Sequence, residues 1–304
     1  MLEGIQDAVI VFNPAAGRRR ERRRRELEKA REILWRAGIS AELRGTQGPG
    51  TATGIAREEA ERGTQLVIVC GGDGTINEVV NGLAGSQVPM AVLPAGTANV
   101  LAKELGIPWD IPRAAELIAR GERRRIALGK VTRTKTGDSR YFLCIGGAGP
   151  DGVMIYSVDL GLKAKAGILA FWMEGFRQLA MYGFPHFRVT TEGKVAAASM
   201  VIVGRTKHYG GPFRITTEAD LFGEEFEVAV VTTRSRVVYL AYLPLLWMGR
   251  LRRMRGVDFW KAREVRCDPM ADPYVYAQVD GETLGRLPVV FEIVPDALTI
   301  VVPS

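Results

Sequence analysis

Residues 67–83 read VIVCGGDGTINEVVNGL, a β-branched run followed by glycines at 71, 72 and 74 around one carboxylate, Asp73, and one hydroxyl, Thr75. Glycines let a ligand approach the backbone closely, and the free N–H groups that open a helix favour an anion. A second turn, PAGTAN (94–99), offers the same chemistry through Gly96, Thr97 and Asn99. A third, NPAAG (13–17), follows an earlier apolar run. Asp73 would repel a phosphate; it suits a divalent cation, the water of that cation, or a proton. The plainer reading is that the glycines make tight turns and that Asp73 caps the helix after them. Three such turns on successive connections favour the phosphate. No GxxxxGK[ST] occurs and no GxGxxG follows the first apolar run, so the cradle is neither a P-loop nor a dinucleotide fingerprint.

The elements that must position these turns are legible from periodicity. DAVIVFNP, SAELRGT, QLVIVC and MAVLPAG read as strands, QLVIVC apolar on both faces as in a parallel sheet covered by helices. Between them, residues 15–38 hold a helix with Leu27, Ala30, Ile33, Leu34 and Ala37 on one face, and GTATGIAREEAERG, INEVVNGLAG and TANVLAKELG read as helices. Strand–helix alternation to about residue 120 predicts a doubly wound α/β domain with all three turns at the carboxyl edge of the sheet, where open α/β folds bind ligands. Afterwards the pattern changes to short alternating runs with turns between them, from RRIALGKVTR to LTIVVP, which predicts a β-sandwich or barrel. One helix, KAGILAFWMEGFRQLAMYG, interrupts it, with a Met and aromatic stripe that suits a core face. The expected partition is an α/β domain over 1–125 and a β-rich domain over 126–304.

NPAAG, GGDGTINEVVNGL and LPAGTANVLAKELGIP resemble the nucleotide-binding motifs of the diacylglycerol kinase and sphingosine kinase catalytic-domain family, in its soluble bacterial lipid-kinase branch. The likeness continues through KAGILAFWMEGFRQL, HYGGPFRIT and AQVDGETLGRLPVVFEIVPDALTIVVP, in order along nearly the whole chain. GGDG by itself is shared with NAD kinases and phosphofructokinases, whose α/β domain is similar; NAD kinases lack LPAGTAN and the late DGE. The resemblance implies a two-domain lipid kinase with ATP and Mg²⁺ at its cleft and a β-rich domain that receives diacylglycerol or a related lipid. Carried over by position, Asn13, Gly17, Thr46, Gly71, Gly72, Asp73, Gly74, Thr75, Glu78, Gly96 and Thr97 would surround the nucleotide. Asp280-Gly281-Glu282 matches the late motif, whose glutamate is the proton acceptor in bacterial members. Asp-Gly between alternating strands is also a hairpin turn, and both readings can hold: Glu282 as base, with Asp73 and Asp280 serving metal and orientation.

The chain departs from the family at two places. Its structural metal turn reads ADLFGEEFEV here, with Glu224 and Glu225 where Asp and Gly are usual, so Glu224 is the residue left to ligate Mg²⁺. NPAAG carries Ala16 where Ser is frequent. GGAGPDG leads into Asp151, the position that meets the lipid head group in sphingosine kinases; a sphingoid base or ceramide is therefore the alternative substrate, and a soluble kinase of the NAD kinase type a more distant one. His186 and His208 have no triad partners in the sequence and read as structural.

Charge adds partners. The net charge is +7, from 41 basic and 34 acidic residues, and much of it sits in RRRERRRR (18–25) and RLRRMR (250–255). The second cluster follows the apolar VVYLAYLPLLWMG, as an interfacial segment at an anionic membrane would require, or as a core helix with a basic end would also look. The first follows NPAAG, where its leading arginines could meet ATP phosphates and the rest form a solvated helix face. No nucleic-acid module accompanies either cluster. No apolar run reaches the roughly 18 residues of a membrane span, and the first residues have no basic region ahead of their apolar run. Cys70, Cys144 and Cys267 lack metal-ligand spacing and read as buried thiols of a reducing compartment. The expectation is a cytoplasmic enzyme, peripheral to the membrane, with no nucleic acid bound and a homodimer as a compatible assembly.

Overall fold

The computed structural model describes residues 4–14, 20–150, 182–210, 213–270 and 274–303. Gly17, Asp151 and most of the interrupting helix expected over 165–183 lie outside the described residues. The chain divides into two compact units: Met1–Leu128 with Val294–Ser304, and Gly129–Ile293.

Unit 1 alternates strands and helices: β1 (Asp7–Phe12), α1 (Arg20–Arg36), β2 (Ser40–Gly45), α2 (Thr51–Arg62), β3 (Val67–Gly71), α3 (Asp73–Leu83), β4 (Pro89–Pro94), α4 (Val100–Glu104) and α5 (Ile111–Arg120). Strand order runs β2-β1-β3-β4, all parallel. Every residue of β3 and β4 is buried, which is why both read as unbroken apolar runs. α1 buries Leu27, Ala30 and Leu34 and exposes a ladder of ion pairs, Arg22–Glu26, Arg31–Glu28 and Arg36–Glu32. Of the first arginine run, Arg22, Arg24 and Arg25 are exposed. Each such exposed pair contributes well under about 1 kcal/mol. α3 begins at Asp73, inside the glycine motif, three residues before the sequence pattern becomes helical.

Two strands pass from one unit to the other along the chain. β5 (Glu122–Arg133) leaves unit 1 at Leu128, and β18 (Val289–Val302) returns to it at Val294. The returning half of β18 adds to β4 in parallel, Thr299 opposite Pro89 and Ile300 opposite Met90. The expected partition at 125/126 contains no such return.

Unit 2 holds β6 (Ser139–Phe142), β7 (Ile145–Ala148), β8 (Phe187–Thr190), β9 (Val195–Ala198), β10 (Met200–Gly204), β11 (His208–Tyr209), β12 (Phe213–Arg214), β13 (Phe226–Val231), a helix α6 (Arg236–Trp247), β14 (Val257–Ala262), β15 (Glu264–Pro269), β16 (Tyr276–Val279) and β17 (Glu282–Arg286). One sheet has the order β14-β13-β10-β7-β16-β17, and β18-β15-β8-β9 form part of a second. Between them lies an apolar core in which Phe142 stacks on Phe226 at 5.7 Å and meets Phe291 edge-on at 6.0 Å. Residues of both sheets fill this core, so the unit is the β-sandwich expected from the alternating runs.

Candidate active site

In unit 1 the order β2-β1-β3-β4 reverses direction between β1 and β3, the position where doubly wound sheets bind ligands. Asn13 and Pro14 follow the carboxyl end of β1, and the GGDGT and PAGTAN turns leave β3 and β4 side by side, Gly71 opposite Pro94. The last two turns are locked together. A Cβ placed on Gly96 would stand 2.4 Å from the Cα of Gly72, and one on Gly71 would stand 2.6 Å from the Thr75 side chain. What comes close to these glycines is first the chain itself. Asn99, fully buried at a positive φ of 40°, clasps the pair: with its amide assigned the orientation that satisfies both ends, its nitrogen donates to the Gly71 carbonyl at 3.1 Å and its oxygen accepts from Ala95 and Gly96 N–H at 3.0 and 3.1 Å. Asp73 Oδ1 accepts from the Val100 N–H at 2.7 Å and so ties the start of α3 to the start of α4. Asp73 therefore does not cap α3, the helix after its own turn; its carboxylate meets the first N–H of α4.

The other nucleotide candidates fall around this pair in different ways. Thr97 is exposed, and Asp73, Gly74 and Thr75 are half-buried at the opening of α3. Thr46 is buried after β2, its N–H donating to the Phe12 carbonyl, and the Asn13 N–H donates to the Cys70 carbonyl. Glu78 makes a structural contact. Its two oxygens accept from Gly50 and Ala52 N–H at 2.8 and 3.0 Å, capping α2. Arg23 was not singled out from its run, yet its Nη2 donates to the Ala95 carbonyl at 2.9 Å and braces the second turn. The arginine run gives Arg23 one clue: it lies four residues before Leu27 on the buried face of α1. Beneath the turns, burial pushes the Cys70 thiol up to about 12.

In unit 2 the DGE motif is a two-residue hairpin turn. Val279 pairs with Glu282, and Asp280 and Gly281 both have positive φ, 46° and 81°, as a type I′ turn requires. A single stretch of chain holds both of its carboxylates. Asp280 accepts from three successive backbone N–H groups, Leu143 at 2.7 Å, Cys144 at 3.0 Å and Ile145 at 2.9 Å, and its own N–H donates to the Ile145 carbonyl. Glu282, at the head of β17, pairs with Arg140 Nη2 at 2.5 Å. Residues 140–145 are thus a cradle for the turn, placed there because β7 pairs with β16, Gly146 opposite Val279. This grip fixes the position of the Asp280 carboxylate. Arg140 went unnoticed in the sequence, where nothing local links it to a glutamate more than a hundred positions away.

Glu224, the expected Mg²⁺ ligand, is exposed and pairs with Arg263 at 3.1 Å. His186 Nε2 bonds the Thr232 carbonyl at 2.9 Å, a structural contact. α6 buries Tyr239 and Tyr242 but exposes Val237, Leu240, Trp247 and Met248. Of the arginines that follow, Arg252 pairs with Glu227 and Glu218, while Arg250, Arg253 and Arg255 are exposed. Among the described residues no helix is long and apolar enough to cross a membrane.

A doubly wound layer with interlocked glycine turns at its switch point, joined in one chain to a β-sandwich with a braced carboxylate hairpin, is the equipment of a two-domain kinase. Residues 7–131 match the diacylglycerol kinase catalytic domain, and residues 147–302 match the YegS C-terminal NAD kinase beta sandwich-like domain. The chain belongs to the family that carries these domains, and it is a lipid kinase. It is 29% identical to a diacylglycerol kinase of Bacillus subtilis (strain 168), over 93% of this chain and 92% of that one. A diacylglycerol kinase of Staphylococcus aureus (strain bovine RF122 / ET3-1) is also 29% identical, over 93% and 88%. The fold matches the crystal structure of a diacylglycerol kinase from Bacillus anthracis str. Sterne with a TM-score of 0.77 at 24% identity, covering 98% of each chain.

Proposed function

We propose that this kinase transfers the γ-phosphate of ATP to the hydroxyl of diacylglycerol or a closely related lipid alcohol. The observation that carries the reading is the locked pair of turns after β3 and β4, which presents the openings of α3 and α4 in one fixed arrangement. The opening of the longer helix, α3, whose Gly72 cap supplies no side-chain acceptor, is the one that favours phosphate. Asp73 would hold the Mg²⁺ that accompanies ATP, and that ion would neutralise phosphate charge as the bond to ADP breaks. Glu282 takes the proton of the lipid hydroxyl, whose oxygen forms the new bond to the γ-phosphorus while the bridging oxygen leaves with ADP. Arg140 fixes the direction of the Glu282 carboxylate, and Asp280 fixes the turn beneath it.

The enzyme reaches its substrate from an anionic membrane surface without spanning it. What supports this is α6, whose exposed Val237, Leu240, Trp247 and Met248 precede exposed Arg250, Arg253 and Arg255. Each arginine near an anionic surface adds about 1 kcal/mol of attraction.

The test is transfer of labelled γ-phosphate to diacylglycerol, monoacylglycerol, sphingosine, ceramide and NAD in mixed micelles, with Glu282→Gln and Asp73→Asn beside the parent. Label on diacylglycerol that both variants abolish is the expected result. Label on sphingosine or ceramide alone would move the substrate to a sphingoid lipid, and label on NAD alone would overturn the lipid reading.

A further inference from the structure

The family resemblance implies a divalent cation at the turn before β13, with Glu224 as the surviving ligand. The turn does not fit one. Glu224 is 56% exposed and already carries the Arg263 guanidinium. Among the described residues, no three His, Cys, Asp or Glu side chains come together as a metal would need. Divalent Mg²⁺ asks for several oxygen ligands at close to octahedral geometry, and the oxygens that this turn directs inward are already engaged.

They are engaged by a different cation. Arg205, immediately after β10, is completely buried. Its Nη2 donates to the Leu221 carbonyl at 2.5 Å and its Nη1 to the Gly223 carbonyl at 3.3 Å. Its Nε is buried without an acceptor. Burial pushes the Arg205 guanidinium down to about 10, and the charges of Cys144 and then of Asp220, in the same turn, oppose that shift. Asp220 in turn accepts from the Phe222 N–H at 3.0 Å, and its carbonyl accepts from Gly223, so the turn closes on itself around the guanidinium. A buried arginine bonded to carbonyls rather than to a carboxylate is unusual, since such cations are ordinarily paired. Guanidinium is the protein cation best suited to that place: it is planar, always charged and weakly hydrated, with donors that reach several carbonyls at once.

We propose that Arg205 is the resident cation of the Ala219–Glu225 turn and stands there in place of a divalent metal ion. The β-sandwich is then held together by its own chain, and a need for Mg²⁺ arises only where nucleotide is bound. The Arg205 N–H also donates to the Cys144 carbonyl at 2.8 Å, next to the amides that grip Asp280, so the substitution lies on the same strands as the hairpin cradle.

Thermal unfolding of the nucleotide-free full chain in EDTA and in Mg²⁺ tests this without any variant. The expected result is the same unfolding temperature in both. A Mg²⁺-dependent rise that Glu224→Gln or Asp220→Asn removes would overturn the proposal. Arg205→Ala adds a second arm. Its unfolding temperature should fall by several degrees and recover with added ethylguanidinium, which replaces the deleted atoms, but not with Mg²⁺. Recovery with Mg²⁺ instead would sink the idea. If Arg205→Ala does not fold, Arg205→Lys in the presence and absence of Mg²⁺ gives the same comparison, because a metal-requiring turn would respond to the ion and a cation-filled one would not.

Discussion

Gly72 and Gly96 meet backbone to backbone: a methyl group on Gly96 would lie 2.4 Å from the Cα of Gly72, whereas one on Gly72 would lie 3.3 Å from the Cα of Gly96. The contact is asymmetric, and so is its consequence. Gly96→Ala must push two turns apart and should destabilise the protein by about 1–3 kcal/mol, the usual range for overpacking. Gly72→Ala needs only a few tenths of an ångström and should be milder. Urea midpoints and binding of a non-hydrolysable ATP analogue check the order, and equal effects of the two substitutions would show that the turns are not locked.

Asp280→Asn tests the grip of residues 143–145. An asparagine keeps one acceptor but turns a donor towards amides that also donate, so at least one N–H is left without an acceptor. The expected loss is about 2–4 kcal/mol, given the strength of hydrogen bonds to a charged acceptor and the cost of burying an unsatisfied donor. Hydrogen exchange at Leu143, Cys144 and Ile145 should speed up in the variant. Unchanged protection at those amides would contradict the orienting role.

Arg140→Met removes the partner of Glu282 while keeping length and apolar contacts. If Arg140 acts by aiming the carboxylate, kcat should fall on the order of 10²-fold, as a misplaced catalytic group does, with the KM for ATP unchanged. Arg140→Lys should recover part of the loss. A rise in the lipid KM with kcat intact would instead make Arg140 a contact for substrate.

Burial holds the Cys70 thiol at about 12 and raises that of Cys267 as well. At pH 8 the thiolate fraction of Cys70 is then on the order of 1 in 10⁴, against roughly a quarter for an ordinary thiol. Alkylation of the native protein at pH 8 should leave both cysteines unmodified, and unfolding should expose them. The sign for stability follows. The folded-state value lies above the unfolded one, so the contribution is complete below about 8.5 and is lost as pH rises through about 12 for Cys70. Rapid native labelling of Cys70 would overturn its burial beneath the turns.

The sequence made the architecture readable where one property dominates. β3 and β4 are buried on both faces, so their unbroken apolar runs announce parallel strands, and the alternating runs after residue 126 announce a sandwich. Partners were not readable, because periodicity gives the type of an element and not its neighbour. LTIVVP is plainly a strand, yet nothing in it says that it lies beside β4. The site divides in the same way. Asp73, Asp280 and Glu282 stood out as reactive types at glycine turns, while the groups that fix them (the Val100 N–H, the amides of 143–145 and Arg140) are remote in sequence. The clasp made by Asn99 and the capping of α2 by Glu78 likewise join residues remote from one another in sequence. Arg205 gave no signal, since an arginine after a strand is ordinarily a solvated one.

The return of Val294–Ser304 to unit 1 sets an order in time. During synthesis the chain emerges from its amino end, so β1 to β4 and their helices exist while the strand that pairs with β4 has not yet been made. Within these residues unit 1 is begun before the sandwich and completed after it has been translated. Until then the outer edge of β4, an all-apolar strand, lacks its β18 partner and is the kind of open strand edge on which chains associate.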